Sequence, residues 1–328
     1  MTGTSQYLRK CGLVVFSPAA GPPAPGTQGP AGGGLDLSAL RIKFQVSQFA
    51  ADAPPTAIIT VYNLSDTTSK KIQKEFQSVT LQAGYENGNY GIIFQGTIMQ
   101  TRRGRESNIE TFLEIMASDL DEFFNYGIVS ATLKAGSKAA DQIAAVVEAG
   151  KDQGAGQGYT PPDLSATGGT LLPRGKVLFG FCRDRLTDVA QSTQSAWYIE
   201  GGKVNFVSLT GYVPSQAVVL NAQSGLVGVP EATINGVEAT ILLNPFVKLG
   251  TRVQINNAAI NQSQVNQPGF PNYNSPLLFP ATVSNDGFYA VLVAEHRGDT
   301  WGEEFYTDLT CLALDPSAAP GSSVLAYG

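Results

Sequence analysis

The sequence predicts a mainly β protein of the α+β class, with two antiparallel β domains flanking a small α/β module. Three observations lead there. Apolar and polar residues alternate with period two in the first and last thirds, as in strands with one buried face. Two stretches of the middle third carry apolar residues at helical spacing. Thirty-six Gly and 19 Pro in 328 residues supply the turns of a β-rich chain. Hydrophobic residues make up 43% and charged residues 15%, enough to build real cores. Length allows two or three domains, and the boundaries are read as 1–127, 128–211 and 212–328.

In the first domain, Arg9-Lys10 precede the apolar run Cys11 to Phe16. The run is too short for a signal-peptide core and reads as a first strand. Residues 17–36, SPAAGPPAPGTQGPAGGGLD, form a Pro/Gly loop expected to be mobile. In LRIKFQVSQ, Leu40, Ile42, Phe44 and Val46 alternate with polar residues. TAIITVYNL (56–64) is apolar on both faces and is expected to be a buried central strand. A helix from about Ser65 to Phe76 turns Ile72 and Phe76 to the sheet. SVTLQAGYE alternates next, Asn87-Gly88 marks a hairpin turn, and YGIIFQGTIMQTR is a strand. NIETFLEIMASD places Ile109, Leu113, Ile115 and Ala117 on one face, with Glu110, Glu114 and Ser118 on the other.

The middle third reads differently. SKAADQIAAVVEAG (137–150) is a helix with Ala140, Ile143, Ala144 and Val147 on one face, Ser137 as N-cap and Gly150 as terminator. GGTLLPRGK (168–176) is a loop entering a strand. FCRDRLTDVAQSTQ is a second helix, with Cys182, Leu186, Val189 and Ala190 on one face. A hairpin follows: Trp197 to Glu200, a Gly201-Gly202 turn, then Lys203 to Val207. In the last third, 218–220, 226–229, 237–243 and 252–255 are strands. A long Asn/Gln/Pro-rich loop spans about 256–285. Two long strands joined near Thr300-Trp301-Gly302 close the domain. The pattern leaves open that the outer domains are distant copies of one fold.

The net charge is −6, the pI about 4.9, and no Lys/Arg run appears, which argues against a nucleic-acid binder. Arg102-Arg103-Gly104-Arg105 is the one dense basic stretch, expected to cap a hairpin rather than grip phosphate. Cys11, Cys182 and Cys311 form neither a disulfide framework nor a CxxC metal pair. They suit a reducing cytosol, and no apolar run is long enough to span a membrane.

No residue is assigned a catalytic, cofactor-binding or metal-binding role. His296 is the sole histidine, so any Ser/His/Asp or Cys/His arrangement would need it; a structural histidine at a strand end is the expectation. Glycosidase chemistry needs two positioned carboxylates. The clusters Asp119, Asp121, Glu122 and Asp299, Glu303, Glu304 lie at strand ends, where solvated turn carboxylates are common. GGTLLPRGK is not a phosphate loop: five residues separate Gly169 from Gly175, and Val177 stands where a Mg²⁺-binding hydroxyl is needed. Trp197 is expected in a core. Trp301, in a hairpin turn, is a candidate interface anchor.

Three stretches, in order, resemble the baseplate hub family of contractile bacteriophage tails. They are LDLSALRIKFQVSQ through AIITVYNLSDTTSKKI to VTLQAGY and IIFQGTI; RGKVLFGFCRDRLTDVAQSTQSAWYIEGGKVNFV; and SGLVGVPEATINGVEATILLNPFVKLGTRVQIN with YAVLVAEHRGDTWGEEFYTDLTCLA. Loops 17–36 and 256–285 look peculiar to this chain. The resemblance implies two tail-tube-like β domains, a homotrimer, and six such domains in a ring. Such a ring joins the hexameric tail tube to the trimeric central spike. Implied neighbours are the tube or its initiator, the spike, the tape measure protein and other baseplate proteins, with DNA passing through unbound. It implies assembly in the host cytoplasm, a place in the virion tail, no cofactor and no chemistry of its own. No family side chain transfers residue by residue. Alternatives are the hub of a tailocin-like injection machine, a wall hydrolase, or a receptor-binding tail component. Both loops are expected to be disordered in the free chain and to order against partners. The ring lumen is expected to be negative or neutral, with Arg102, Arg103 and Arg105 turned away from it.

Overall fold

The structure, a computed structural model, describes residues 8–17, 34–50, 53–151, 159–160, 171–208, 216–233, 236–262, 283–284 and 286–314. The first third forms β1 (Arg9–Phe16), β2 (Leu35–Asp36), β3 (Ile42–Phe49), β4 (Thr56–Tyr62), α1 (Asp66–Glu75), β5 (Ser78–Tyr85), β6 (Tyr90–Arg105) and β7 (Thr111–Ser118). The middle forms α2 (Asp121–Tyr126), β8 (Ile128–Leu133), α3 (Ala139–Ala149), β9 (Tyr159–Thr160), β10 (Lys176–Phe181), α4 (Cys182–Ser192), β11 (Ser195–Glu200) and β12 (Lys203–Ser208). The last third forms β13 (Val218–Leu220), β14 (Leu226–Thr233), β15 (Gly236–Leu242), β16 (Arg252–Ile255), a 3-10 turn (Asn257–Ala259), β17 (Asn261–Gln262), β18 (Phe288–Asp299) and β19 (Phe305–Ala313). The chain is mainly β, as the alternation predicts.

The outer thirds share one 14-stranded sheet, ordered β17-β14-β15-β19-β18-β3-β4-β7-β6-β5-β1-β2, with β16 joining β13 to β18. The seam is β3 against β18, antiparallel from Val293 opposite Phe49 to Asp299 opposite Lys43. Either side of it lies a separate core. Leu13, Ile42, Ile59, Ile72, Leu81 and Ile115 fill the first. Val237, Ile241, Val253, Tyr289, Val291 and Cys311 fill the second. Phe305 and Leu243, from the last third, bury in the first core, and Ala50, from the first third, buries in the second, so each half closes partly with the other's side chains. Phe305 sits edge-on to Phe44 and Tyr85, with centroids 5.9 and 5.6 Å away. Gly298 makes this possible: a Cβ there would lie 2.6 Å from Phe44 Cζ and 2.8 Å from Phe305 Cδ2.

The middle third has its own core, in which Val129, Ile143, Val147, Leu186 and Trp197 meet. Phe123, from α2, is fully buried there too, so this core begins upstream of residue 128. Helix α4 buries Cys182, Leu186, Val189 and Ala190, the face read from spacing. The β11–β12 turn places Gly201 and Gly202 at φ +59° and +75°, where a side chain is strained.

Four local expectations are corrected. Helix α3 is capped not by Ser137 but at Lys138, whose N–H donates to Asp141 Oδ2 at 2.8 Å, while Ser137 Oγ donates to Lys134 O. Strand β4 is central, between β3 and β7, but it is not covered evenly: Ala57, Ile59, Val61 and Tyr62 are buried, whereas Ile58 is 42% exposed. Ile109 is not on the buried face of β7: it lies in the β6–β7 turn and is exposed. Ser118 is buried at the other end of that strand. Most of loops 17–36 and 256–285 lies outside the described residues. At their flanks, Leu35–Asp36 pairs with β1, and Asn257 Nδ2 donates to Ser284 O.

Candidate interaction surfaces

The seam is held by charge as well as by the ladder. Arg41 grips Asp299 with Nε to Oδ1 at 3.2 Å and Nη2 to Oδ2 at 2.7 Å. Thr300 N donates to Ile42 O, and Ile42 N donates to Thr300 Oγ1, both at 3.0 Å. Burial alone would raise the Asp299 carboxyl, but Arg41 and the Trp301 and Gly302 N–H groups outweigh it and hold it below the ordinary value. Asp299 is therefore a structural tie. Glu304 pairs with Arg297 at 3.5 Å, and the Glu303 carbonyl accepts from Arg9.

Asp119 ties the middle unit to the first. Its Oδ2 accepts from Gly202 N at 3.0 Å, anchoring the β11–β12 turn. Burial pushes its carboxyl up to about 6, against the lowering pull of the Gly202 and Gly201 N–H groups. Asp121 accepts from Asn125 Nδ2, and Glu122 is exposed. Asp119 and His296 both line a cavity of about 180 Å³ at the meeting of the three units. His296 is buried, its Nδ1 is 2.9 Å from Thr307 Oγ1, and burial, aided by Lys248, brings it down to about 4. Gln48 turns into the same cavity, its Nε2 donating to Ile93 O while Oε1 has no partner among the described residues. Lys248 pairs with Glu200 across it.

The arginines at 102, 103 and 105 lie at the distal end of β6 beside the turn to β7. Arg102 pairs with Glu114 at 3.0 Å, Arg103 with Asp66, and Arg105 donates to Asn108 O. Trp197 is buried, its Nε1 donating to Thr187 Oγ1 at 3.0 Å. Trp301 is 75% exposed at the β18–β19 turn. The three cysteines are buried and free. Burial raises Cys11 and Cys311 to about 12 and Cys182 to about 11. Among the described residues no group of three His, Cys, Asp or Glu is placed to hold a metal, and no helix is long and apolar enough to cross a membrane.

One surface was missed in the sequence. Among the described residues, strands β8 and β10 pair only with each other, and Ile128, Val177, Phe179 and Phe181 are exposed on them. The signal was present in KVLFGF, which is uncharged and apolar at both parities after its lysine, as a strand covered on both faces would be.

No curated protein matches the sequence. Among solved structures, the chain is similar to a tail protein from Neisseria meningitidis MC58 (TM-score 0.55, 9% identity, covering 93% of this chain and 97% of that one). It is equally similar to the 43 kDa tail protein of prophage MuSo2 from Shewanella oneidensis (TM-score 0.55, 7% identity, 95% and 99% covered). It is also similar to the E. coli c3393 protein, a type VI secretion component itself described as similar to the T4 bacteriophage tail proteins gp27 and gp5 (TM-score 0.52, 8% identity, 85% and 75% covered). These likenesses show a tail-protein fold. The family model for baseplate hub gp41 matches residues 37–268, most of the chain and parts of all three units, and the chain belongs to that family.

Proposed function

We propose that the protein is the structural hub of a contractile phage baseplate: a homotrimeric ring joining the hexameric tail tube to the trimeric central spike. The observation that carries this reading is the seam. Two β halves are locked into one sheet through β3 and β18, so three chains would supply six β halves in one frame. Such a frame adapts sixfold to threefold symmetry. The domain division is proposed as 1–127, 128–211 and 212–328, with the outer two forming the ring. Its neighbours are the tube or tube initiator, the spike, the tape measure protein and other baseplate proteins, in the virion tail after assembly in the host cytoplasm.

The ring encloses a channel for the genome. A basic lumen would gain affinity with each phosphate contact and brake the DNA, so a negative or neutral lining is proposed. Arg102 and Arg103 already face acids of their own chain, which suits a place away from the duplex. The protein is read as non-enzymatic. Asp119 and Asp121 are engaged by backbone N–H groups and by Asn125, and Asp299 and Glu304 by Arg41 and Arg297, which leaves one carboxylate without such a contact in each cluster and supports that reading. A second reading, the hub of an injection machine that carries no genome, is favoured by the likeness to a type VI secretion component.

Electron microscopy of the protein co-purified with its spike tests the main reading. A threefold ring with a central channel is expected; a 1:1 complex without threefold symmetry would reject it. A cleared band on a peptidoglycan zymogram would reject the non-enzymatic part, and salt-sensitive DNA binding the lumen charge.

A further inference from the structure

The β8–β10 ribbon is built for burial on both faces and covered on one. Val129 and Leu178 turn into the third core, with Ala131 and Leu133 packed against it. The register sets Ile128 opposite Phe181, Ser130 opposite Phe179 and Thr132 opposite Val177. These six residues make the other face, which carries no charge; Phe179 is 71% and Val177 70% exposed. Two strands of six residues cover roughly 200 Å² at ordinary strand spacing. A stable interface needs about 800 Å² per partner, so the ribbon suits the centre of a larger contact. At one end of it stand Lys134 and Arg174, both exposed and in no ion pair among the described residues.

A surface of opposite kind lies on the second half. A groove of about 480 Å³ crosses β14, β15, β19 and β18, with Val227, Val229, Glu231, Glu238, Glu295 and Asp308 in its lining. Val227 and Val229 are exposed, and β14 slips register between Val227 and Glu231. Beyond the slip, Glu231 stands directly opposite Glu238, a like-charge cross-strand pair that a cation would relieve, and Glu238 Oε1 accepts from Thr233 Oγ1 at 3.2 Å. Arg297 neutralises Asp308 but pairs with neither of these two. Strand β17 already pairs with β14 at Glu231 and Ala232, and the bulge and Pro230 blunt the rest of that edge, so the groove accepts side chains rather than a new strand.

We propose that the β8–β10 ribbon of one copy seats in the β14 groove of a second copy, with Phe179 and Phe181 against Val227 and Val229, and Lys134 and Arg174 against Glu231 and Glu238. Two different surfaces of one chain then meet head to tail, and such contacts propagate until a ring closes. The inference rests on the ring reading above and names the surfaces that close it.

The test is mass photometry and light scattering over a concentration series, with circular dichroism to verify folding. The wild-type chain is expected to self-associate. Phe179→Asp, the pair Lys134→Glu/Arg174→Glu, and the pair Glu231→Lys/Glu238→Lys should each raise the concentration for half-assembly by roughly tenfold or more. Combining both charge-reversed pairs in one chain restores complementarity and should restore assembly. Variants that assemble like wild type would overturn this interface while leaving a ring intact. Failure of the combined variant to recover would overturn the charge pairing. A folded wild-type chain that stays monomeric at every soluble concentration would overturn self-association through these surfaces, and the spike-bound complex would then decide the ring separately.

Discussion

Asp119 and His296 line one cavity and oppose each other in pH dependence. Burial raises Asp119 from 3.8 to about 6, with the charge of Glu200 adding to it and the Gly202 and Gly201 N–H groups opposing. A raised carboxyl binds its proton more tightly in the folded state. Its stabilisation is full below pH 3.8 and is lost as pH rises through 6, a change of about 3 kcal/mol. Burial lowers His296 from 6.5 to about 4, with Lys248 adding and Asp308 opposing. The unfolded state therefore takes the proton first as pH falls from 6.5 to 4, and about 3 kcal/mol of stability is lost over that window. In the wild type the two slopes nearly cancel. Asp119→Asn leaves the histidine alone, so stability should fall by about 3 kcal/mol between pH 7 and pH 4 relative to wild type. His296→Gln leaves the carboxyl alone and should show a rise of similar size over the same interval. Urea unfolding at pH 4, 5, 6 and 7, followed by the fluorescence of buried Trp197, reads both slopes. An Asp119→Asn variant that parallels wild type at every pH would refute the reasoning. Arg41 and the Trp301 and Gly302 N–H groups hold the Asp299 carboxyl below its ordinary value, against the pull of burial.

Phe305 is fully buried between Phe44 and Tyr85, so Phe305→Ala should cost about 3–5 kcal/mol in chemical denaturation and loosen both halves together. Gly298→Ala drives a methyl into the Phe44 and Phe305 rings and should cost about 1–3 kcal/mol in the same assay, whereas Gly136→Ala, with open space around it, should cost only its backbone strain. Burial raises all three thiols, so none should react with a thiol-disulfide reagent in the native state at neutral pH, and all three should react in urea. Trp301→Ala should leave the melting temperature within about 1–2 °C of wild type but weaken any contact that uses the β18–β19 turn.

Local patterns were legible because local physics sets them. The four buried residues of α4, the Gly201-Gly202 turn and Ile72 on α1 follow from helical spacing and from φ preference. What the sequence did not reveal depends on distant partners. Arg41 and Asp299 are 258 residues apart, and nothing near either announces the other. The β3–β18 seam is invisible for the same reason: alternation says which face of a strand is buried, not which strand lies beside it. Ile58 and Ile109 were misplaced because hydrophobicity does not report whether a layer covers the second face or where a hairpin turns. Asp119 read as a solvated turn carboxylate because its burial comes from the Gly201-Gly202 turn of another unit. The exposed ribbon face was missed because β8 was not recognised as a strand.

The central claim is that three copies form a ring that carries the spike, and one reconstruction tests it most directly. Cryo-electron microscopy of the protein bound to its spike should show three chains around an open channel, with the six β halves facing inward. Chains arranged without threefold symmetry, or a closed centre, would contradict it.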